Sequence, residues 1–216
     1  MSKPTRETYT EFQTAYDFFN QKLFDNQLPD CLITYQRKAK TKGYFADGRF
    51  ENALDGKIID EIAMNPDYFR SADSFPETAS EFSPKTILST LVHEMCHLWQ
   101  KYHGQPGRSR YHNQEWAEKM LQLGLHPTDD GTPNGKMTGD RVSHLIIPGG
   151  AFDRVCEELL EKIKLAWVDR WTGKVNPGAK LKNKTKYVCP QCKLNVWGKP
   201  ELQIICGVCN RKLEVE

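Results

Sequence analysis

The sequence predicts an α+β fold, and three observations lead to that class. Several long segments carry apolar residues at the three- and four-residue spacing of a helix. Three short strand-like segments lie together between the first two of these helices. The composition is globular, because 38% of the 216 residues are hydrophobic and 11% are aromatic. We therefore expect one domain with a core of its own and a small appendage.

The first predicted helix is Thr5–Phe24, whose aromatic and leucine side chains recur at helical steps. Three predicted strands follow it, separated by turn-forming residues. They are Cys31–Gln36, Gly43–Phe50 and Lys57–Met64. The last of these is the candidate for an exposed sheet edge, to which a peptide could add as a further strand. A polar connection, Arg70–Ser83, then leads into the next helix.

The second predicted helix contains the stretch Leu91–Trp99, in which His93, Glu94 and His97 spell H-E-x-x-H. Residues four apart lie on one face of a helix, so the two imidazoles can hold a single Zn²⁺. Glu94 points about 100° around the helix from His93, where it can reach a zinc-bound water without being a ligand. In metalloproteases with this motif the glutamate is the general base. The pattern therefore predicts a catalytic zinc with Glu94 as its base.

The flanking residues favour a helix at this motif, and two more helices are predicted after it. Ser83 and Pro84 stand in the order of an N-cap and a first helical residue. Tyr111–Leu123 and Phe152–Trp167 are both amphipathic at helical spacing. Between them, Gly124–Gly150 is rich in proline and glycine and is predicted to be mostly loop.

A catalytic zinc usually has three protein ligands, so a third residue must join the two histidines of the motif. Four other histidines are available: His103, His112, His126 and His144. His103 has the spacing of the metzincin motif, but that motif needs glycine where this chain has Gln100. His112 is better placed, since it begins the next predicted helix. A helix packed antiparallel to the first could bring it back to the metal.

At these residues the chain resembles the SprT-like zinc metallopeptidases of the Spartan and SprT type. The likeness is carried by T-L-V-H-E-M-C-H at Thr90–His97 and by H-x-x-E-W at His112–Trp116. Further matches are F-N-x-x-L-F at Phe19–Phe24 and the order of G-Y-F before D-E-I-A-M-N-P. Together they cover about Tyr9–Leu123.

The resemblance implies a fold, a set of site residues and a class of substrate. The fold is a zincin-like metallopeptidase core with a C-terminal zinc ribbon. The site residues are the zinc ligands His93, His97 and His112, with Glu94 as the general base. The substrates implied are proteins bound or crosslinked to DNA, which would give the protein a role in DNA repair.

The C-terminal part contains two C-x-x-C pairs separated by thirteen residues: Cys189 with Cys192, and Cys206 with Cys209. Two such knuckles predict a Cys₄ structural zinc site. Because all four positions belong to the protein, this second zinc would stabilise a fold without taking part in chemistry. We therefore expect a metallopeptidase domain at residues 1–168, a basic linker at 169–186 and a zinc ribbon at 187–216.

Basic and acidic residues are distributed unevenly along the chain. Residues 1–169 carry 20 basic and 25 acidic side chains, whereas Arg170–Lys199 carries eight basic ones and none that is acidic. The lysines of this run are interleaved with Trp171, Tyr187 and Trp197. Since lysines contact phosphates and aromatic rings stack on unpaired bases, the run is a candidate DNA-binding segment. The alternative is a solvated linker that offsets the negative charge of a Cys₄ zinc site.

Other features bear on where the protein acts. No stretch has the ~18 or more uncharged apolar residues of a membrane span, and the N-terminus lacks the apolar core of a signal peptide. We therefore expect a cytoplasmic protein without a membrane partner. Thiols stay reduced in that compartment, which favours metal binding over disulfides for the paired cysteines.

The preferred function is a zinc-dependent endopeptidase in which Glu94 activates a zinc-bound water. One alternative is a nucleic-acid-binding ribbon protein whose H-E-x-x-H zinc is only structural. A carboxylate beside an open coordination position argues against that alternative, because structural sites are closed. A third hypothesis is a zinc hydrolase that acts on something other than peptides. Tyr102, Tyr111 and His103 are open candidates for stabilising the oxyanion.

Overall fold

The computed structural model describes residues 3–69, 83–108, 111–169 and 185–215, and these form a mixed α+β architecture. The helices are α1 (Pro4–Leu23), α2 (Pro84–His103), α3 (Gln114–Gln122) and α4 (Ala151–Leu160). The strands are β1 (Leu32–Tyr35), β2 (Gly43–Glu51), β3 (Ile58–Met64), β4 (Leu125–Thr128), β5 (Ser143–Ile146), β6 (Thr185–Val188), β7 (Asn195–Gly198) and β8 (Glu214–Val215). None of the helices in this part of the chain is long and apolar enough to cross a membrane.

The chain divides into two compact units, residues 1–172 and 173–216. The larger unit contains α1 to α4 and β1 to β5, and the smaller one contains β6 to β8. Residues 170–184, most of the predicted basic linker, lie outside the described residues. The predicted segment boundaries at 168 and 186 therefore stay predictions.

Strands β1, β2 and β3 form one sheet with β3 in the centre. β1 pairs with β3 in parallel, and β2 pairs with it antiparallel. Asp60–Met64 is buried along β3, because the strand has a neighbour on each side. The prediction that Lys57–Met64 is an exposed edge is therefore wrong. Strand β3 inserts between the two strands that precede it in the sequence, so within the described residues β1 and β2 are the edges of this sheet.

Helix α2 is the centre of the larger unit's core. It is buried along most of its length, and α1, α3 and α4 all pack against it. The predicted N-terminus is confirmed, since Ser83 is the N-cap and its hydroxyl oxygen accepts the backbone N–H of Thr86 at 3.2 Å. The helix runs unbroken through Gln100 to His103. It therefore lacks the chain turn that a metzincin site requires at residue 100.

Helix α3 begins later than predicted. Asn113 is its N-cap, and the side-chain oxygen of Asn113 accepts the backbone N–H of Trp116 at 3.0 Å. An N-cap residue has extended backbone, so the helix starts at Gln114 and not at Tyr111. His112 therefore lies in the segment before the helix and not on it.

Helix α4 ends earlier than predicted, at Leu160 and not at Trp167. The residues after it are held by contacts with other elements. The indole Nε1–H of Trp167 donates to Oε2 of Glu7 at 2.8 Å, and the backbone N–H of Asp169 donates to the Phe69 carbonyl at 2.6 Å. These tertiary contacts outweigh the helical pattern, which is only a weak preference by itself.

The segment Gly124–Gly150 is more regular than its proline and glycine content predicts. Strands β4 and β5 pair antiparallel within it, with Leu125 opposite Ile146. Pro127 fits in β4, because in the described residues this strand is paired on one side only. The prediction of loop is therefore wrong for these two strands, and they bring His144 next to α2.

The smaller unit is a three-stranded antiparallel sheet in which β6 lies between β7 and β8. Its core consists of one aromatic ring, one leucine and two cysteines: Tyr187, Leu213, Cys189 and Cys206. So small a core buries little apolar surface, and domains of this size usually need a metal or disulfides to fold. The unit is compatible with the predicted zinc ribbon.

Candidate metal centre

His93 and His97 are one turn apart on α2, and their rings face the same region. The ring centroids are 5.3 Å apart. An α-helix advances 3.6 residues per turn, so the four-residue spacing brings both imidazoles to one side. His93 is buried and His97 is half-buried.

His112 joins this pair from the segment before α3. Its backbone N–H donates to the Gly139 carbonyl at 2.9 Å, and the N–H of Gly139 donates back to the His112 carbonyl at 3.0 Å. The side-chain Nδ1 of His112 lies 3.0 Å from the same Gly139 oxygen. A carbonyl only accepts, so Nδ1 carries the proton and Nε2 is free for a ligand. The ligating atoms of His93, His97 and His112 all lie within 4.8 Å of one another.

Two of the other histidines available as a third ligand, His103 and His126, form contacts elsewhere. Nε2 of His103 lies 3.0 Å from the Gln27 carbonyl, and Nε2 of His126 lies 3.1 Å from the Pro133 carbonyl. Among the described residues, the histidine cluster that could hold a metal consists of His93, His97 and His112. The structure therefore brings together the three residues that the sequence predicted.

A polar clamp between α2 and α3 holds the segment that carries His112. The amide Nε2 of Gln100 donates to Oδ1 of Asn113 and to Oε2 of Glu115, both at 2.7 Å. The same Glu115 oxygen accepts the backbone N–H of Gln105 at 2.7 Å. Gln100 is buried, so these bonds satisfy a side chain that would otherwise destabilise the helix. Gln100, which stands where a metzincin has glycine, thus holds the segment that places His112 beside His93 and His97.

Glu94 is buried beside this cluster and faces strand β2. Its side chain is 4% exposed. Burial raises the pKa of Glu94 to about 8, and a hydrogen bond from the backbone N–H of Phe45 opposes the rise. A dication at the neighbouring histidines would favour the carboxylate and lower this pKa. Burial therefore favours the protonated form of Glu94, and a metal ion at the histidines would favour the carboxylate.

The imidazoles of the cluster are neutral at neutral pH. Burial lowers the pKa of His97 to about 3 and that of His93 well below its ordinary value. It also lowers the pKa of His112, although the hydrogen bond to Gly139 opposes the change. A neutral imidazole is the form that binds a metal ion.

Trp116 closes one side of the cluster. Its ring centroid lies 4.8 Å from that of His93, 5.2 Å from that of His97 and 4.3 Å from that of His112. Among the described residues, its Nε1 is the one buried side-chain nitrogen or oxygen that lacks a hydrogen-bond partner. A buried donor without a partner is uncommon, and because an indole N–H only donates, a water or another oxygen acceptor at the site would satisfy it.

The residues present fit a zinc ion. Three imidazoles are the ligand set of a known class of catalytic zinc, which leaves the fourth position for water or substrate. The close grouping of the ligating atoms and the neutral state of the imidazoles agree with such an ion. The cluster is therefore suited to binding a metal.

Sequence reasoning did not single out His144, which contacts His93 from β5. Nδ1 of His144 lies 3.1 Å from Nδ1 of His93, and Nε2 of His144 lies 2.8 Å from Oγ of Ser89. Burial lowers the pKa of His144 to about 3. No spacing in the sequence connects this residue to the motif, because the pairing of β4 with β5 determines its position.

The proposed oxyanion residues make other contacts. The hydroxyl of Tyr102 donates to Oδ2 of Asp60 at 3.0 Å. The guanidinium of Arg108 lies over the ring of Tyr111, with Cζ of Arg108 5.4 Å from the ring centroid. Together with the His103 contact already described, these interactions give no support to an oxyanion role for the three residues.

The four ribbon cysteines form a second cluster: Cys189, Cys192, Cys206 and Cys209. Sγ of Cys192 lies 3.6 Å from Sγ of Cys206. Two thiolates bound tetrahedrally to one zinc at about 2.3 Å are about 3.8 Å apart, whereas a disulfide requires about 2.05 Å. Backbone N–H groups, that of Cys192 foremost, lower the pKa of Cys189, whereas the hydrogen bond to the Cys192 side chain raises the pKa of Cys209. The cluster is therefore compatible with a zinc site and not with disulfides.

The basic run is described only in part. Arg170–Lys184 lies outside the described residues, and with it Trp171. Trp197 is 62% exposed on β7. Tyr187, in contrast, is buried in the ribbon core, and its hydroxyl donates to the Lys199 carbonyl at 2.7 Å. The expectation that Tyr187 is available to stack on a base is therefore wrong, because the ribbon needs that ring for its core.

Comparison with known proteins identifies the family of the chain. The SprT-like family model matches residues 12–134, more than half of the chain, and this range contains the three histidines and Glu94. The uncharacterized protein in the mucB 3′ region of Salmonella typhimurium is 58% identical over 59 residues, which are 27% of this chain and 80% of that protein. No solved structure matches the chain with statistical significance. The chain belongs to the SprT-like family.

Proposed function

We propose that the larger unit is a zinc-dependent endopeptidase in which His93, His97 and His112 hold the metal and Glu94 is the general base. The observation that carries the proposal is the position of Glu94, a buried carboxylate between a three-histidine cluster and the edge strand β2. A structural zinc site has no use for such a group. Its presence favours a catalytic site over the alternative in which this zinc only stabilises the fold.

The chemistry follows from these side chains. A Zn²⁺ bound at this cluster would polarise the scissile carbonyl and lower the pKa of an attacking water towards about 7. Glu94 accepts the proton of that water and then donates it to the leaving amine. Because Glu94 is buried, proton exchange with bulk water competes little with this transfer.

Strand β2 is suited to binding the substrate backbone. It is an edge of its sheet in the part of the chain that the structure describes, and the N–H of Phe45 forms a hydrogen bond with Glu94 near the start of the strand. A peptide that adds to this edge forms main-chain hydrogen bonds, which carry little sequence preference. A peptide bond could therefore be presented to Glu94 by the same strand that holds the carboxylate. This favours a peptide over other substrates of zinc hydrolases.

The experiment that tests the proposal is the substitution Glu94→Gln. Glutamine keeps the shape of the side chain but cannot accept the proton. We expect unchanged zinc content and a fall in cleavage of casein or of a DNA-binding protein by about 10²–10⁴-fold. The matched control is Glu118→Gln on the exposed face of α3, which should cleave like the parent. Undiminished cleavage by the Glu94→Gln variant would remove Glu94 from the mechanism.

We also infer that the ribbon holds a structural zinc and contacts DNA, so that the substrates are proteins bound or crosslinked to DNA. The support is the pairing of Lys186 on β6 with the exposed Trp197 on β7. Residues directly opposite in an antiparallel pair share one face of the sheet. A cation for phosphate and an aromatic ring for base stacking therefore lie on the same face of the ribbon.

A further inference from the structure

Three side chains form a hydrogen-bonded chain from the metal cluster to the backbone of α2. His93 Nδ1 lies 3.1 Å from His144 Nδ1, and His144 Nε2 lies 2.8 Å from Ser89 Oγ. The hydroxyl of Ser89 donates to the Thr86 carbonyl at 2.8 Å. His144 belongs to β5 and lies beyond residue 134, where the match to the family model ends.

The carbonyl at the end of this chain fixes the position of every proton in it. The Thr86 oxygen can only accept, so the Ser89 hydroxyl donates to it and Oγ is left to accept from His144. A neutral imidazole with its proton on Nε2 has a lone pair on Nδ1. His144 Nδ1 therefore accepts, and His93 Nδ1 must donate. The proton of His93 is thus held on Nδ1, and its Nε2 lone pair is free.

We propose that His144 is a positioning residue that orients His93 and fixes its metal-binding tautomer through the chain to Ser89. Ligating histidines are commonly held by a hydrogen bond from their second ring nitrogen, and loss of that partner weakens metal binding. His112 has the same arrangement with a backbone carbonyl, that of Gly139. Both outer partners come from the segment between α3 and α4, which therefore supports the metal cluster from outside.

This inference rests on the metal site of the proposed function but not on its peptidase activity. The test is therefore a zinc titration of the full chain, in which a chelator competes for the metal. Replacement of His144 by leucine removes the acceptor for His93. The affinity of the histidine site for Zn²⁺ should fall by about 10- to 100-fold. The zinc of the cysteine cluster is an internal reference, and its release should occur at the same chelator concentration as in the parent.

Two further variants separate positioning from folding. Glutamine at residue 144 offers an acceptor and a donor, so His144→Gln should recover part of the affinity lost in His144→Leu. Ser89→Ala removes only a buried hydroxyl, so the protein should stay folded and bind zinc several-fold more weakly. The control is His103→Leu at an exposed position, which should bind zinc like the parent. Imidazole ¹⁵N NMR of the metal-free parent should show His93 protonated at Nδ1.

Several outcomes would overturn the inference. The first is a zinc affinity equal to that of the parent in both His144→Leu and Ser89→Ala, with both variants folded. The second is a His93 imidazole that carries its proton on Nε2. A parent chain that takes up zinc only at its cysteines would overturn it together with the proposed function. A parent that binds zinc at both clusters but cleaves no protein would overturn the peptidase proposal alone, while a loss of affinity in the His144 variants would still support positioning.

Discussion

Gly43 approaches Glu94 so closely that a Cβ atom on residue 43 would lie 3.2 Å from Oε1 of the carboxylate. The same Cβ would lie 3.0 Å from Cγ2 of Thr90 and 3.1 Å from the carbonyl oxygen of Ala63. Because these contacts are short on several sides, a methyl group at residue 43 would fit only if its neighbours moved. The start of β2 and the middle of α2 are thus in contact through a residue without a side chain.

The first prediction is that Gly43→Ala impairs catalysis more than it impairs folding. The methyl group should displace its neighbours, the Glu94 carboxylate among them, by a few tenths of an ångström. A misplacement of about 1 Å can cost up to about 10²-fold in rate. Overpacking should also destabilise the unit by about 1–3 kcal/mol. We expect kcat/KM to fall at least about tenfold with zinc content unchanged. A folded Gly43→Ala variant with the parent's kcat/KM would show that Glu94 does not depend on this contact.

The sequence was sufficient where residues that act together are close in the chain. His93 and His97 share one helix, and their spacing alone brings their rings together. The same holds within each cysteine pair of the ribbon. The N-cap at Ser83 is also a local signal, and the structure has it as predicted. In these cases the local geometry of one helical turn or one C-x-x-C knuckle determines the relative positions of the residues, and tertiary packing contributes little.

The sequence was insufficient where position depends on pairing between distant segments. β3 is the centre of its sheet because it inserts between β1 and β2, and no local pattern encodes that order. His144 reaches His93 only because β5 pairs with β4. α4 ends at Leu160 because the next residues bind to other elements. Long-range contacts such as these determine which strand is available to bind a substrate and which residues hydrogen-bond to the histidines of the metal cluster.

The second prediction concerns metal content. The purified parent should contain about two zinc ions per chain, one in each cluster. His112→Ala should lose one of them and leave the ribbon folded, while Cys189→Ser should lose the other and unfold the ribbon, whose core contains this cysteine. His126→Ala is the control, and elemental analysis is the measurement. If His112→Ala keeps both ions, His112 is not the third ligand.

The third prediction is a loss of stability on replacing Asp60 in β3. This buried carboxylate accepts the N–H of Gly48 at 2.7 Å, the ammonium of Lys101 at 2.6 Å and the hydroxyl of Tyr102 at 3.0 Å. Asp60→Asn should lower the free energy of unfolding by about 1–3 kcal/mol, because an amide cannot accept all three bonds. Asp55→Asn in the exposed turn before β3 is the control and should change stability by less than about 0.5 kcal/mol.

The pH dependence of that difference follows from the pKa of Asp60. Burial opposes ionisation, but the three hydrogen bonds outweigh it, so the pKa lies below its ordinary value. A lowered pKa in the folded state stabilises the protein fully above the pKa of the unfolded chain, about 3.9. This contribution is lost as pH falls through the folded pKa. The difference in free energy of unfolding between the parent and Asp60→Asn should therefore narrow below about pH 4 in denaturant titrations. A difference that widens there would contradict the lowered pKa of Asp60.

The fourth prediction tests the ribbon face formed by Lys186 and Trp197. If a base stacks on the exposed indole, Trp197→Ala should weaken single-stranded DNA binding by about 1–3 kcal/mol without unfolding the ribbon. Val208→Ala, at a residue that is 83% exposed in the same unit, is the matched control. Fluorescence anisotropy with a labelled single strand measures the affinity. A Trp197→Ala variant that loses single-strand and duplex binding alike, together with its zinc, would show that the ring supports the fold and not the contact.

Salt dependence separates the role of Lys186 from that of Trp197. A lysine that neutralises one phosphate contributes about 0.7 to the slope of log affinity against log salt on single strands, because it releases condensed counterions. Lys186→Gln should therefore make that slope shallower by about this amount, whereas Trp197→Ala should weaken binding and leave the slope unchanged. Titrations at three salt concentrations decide the matter. Equal slopes for Lys186→Gln and the parent would mean that Lys186 neutralises no phosphate.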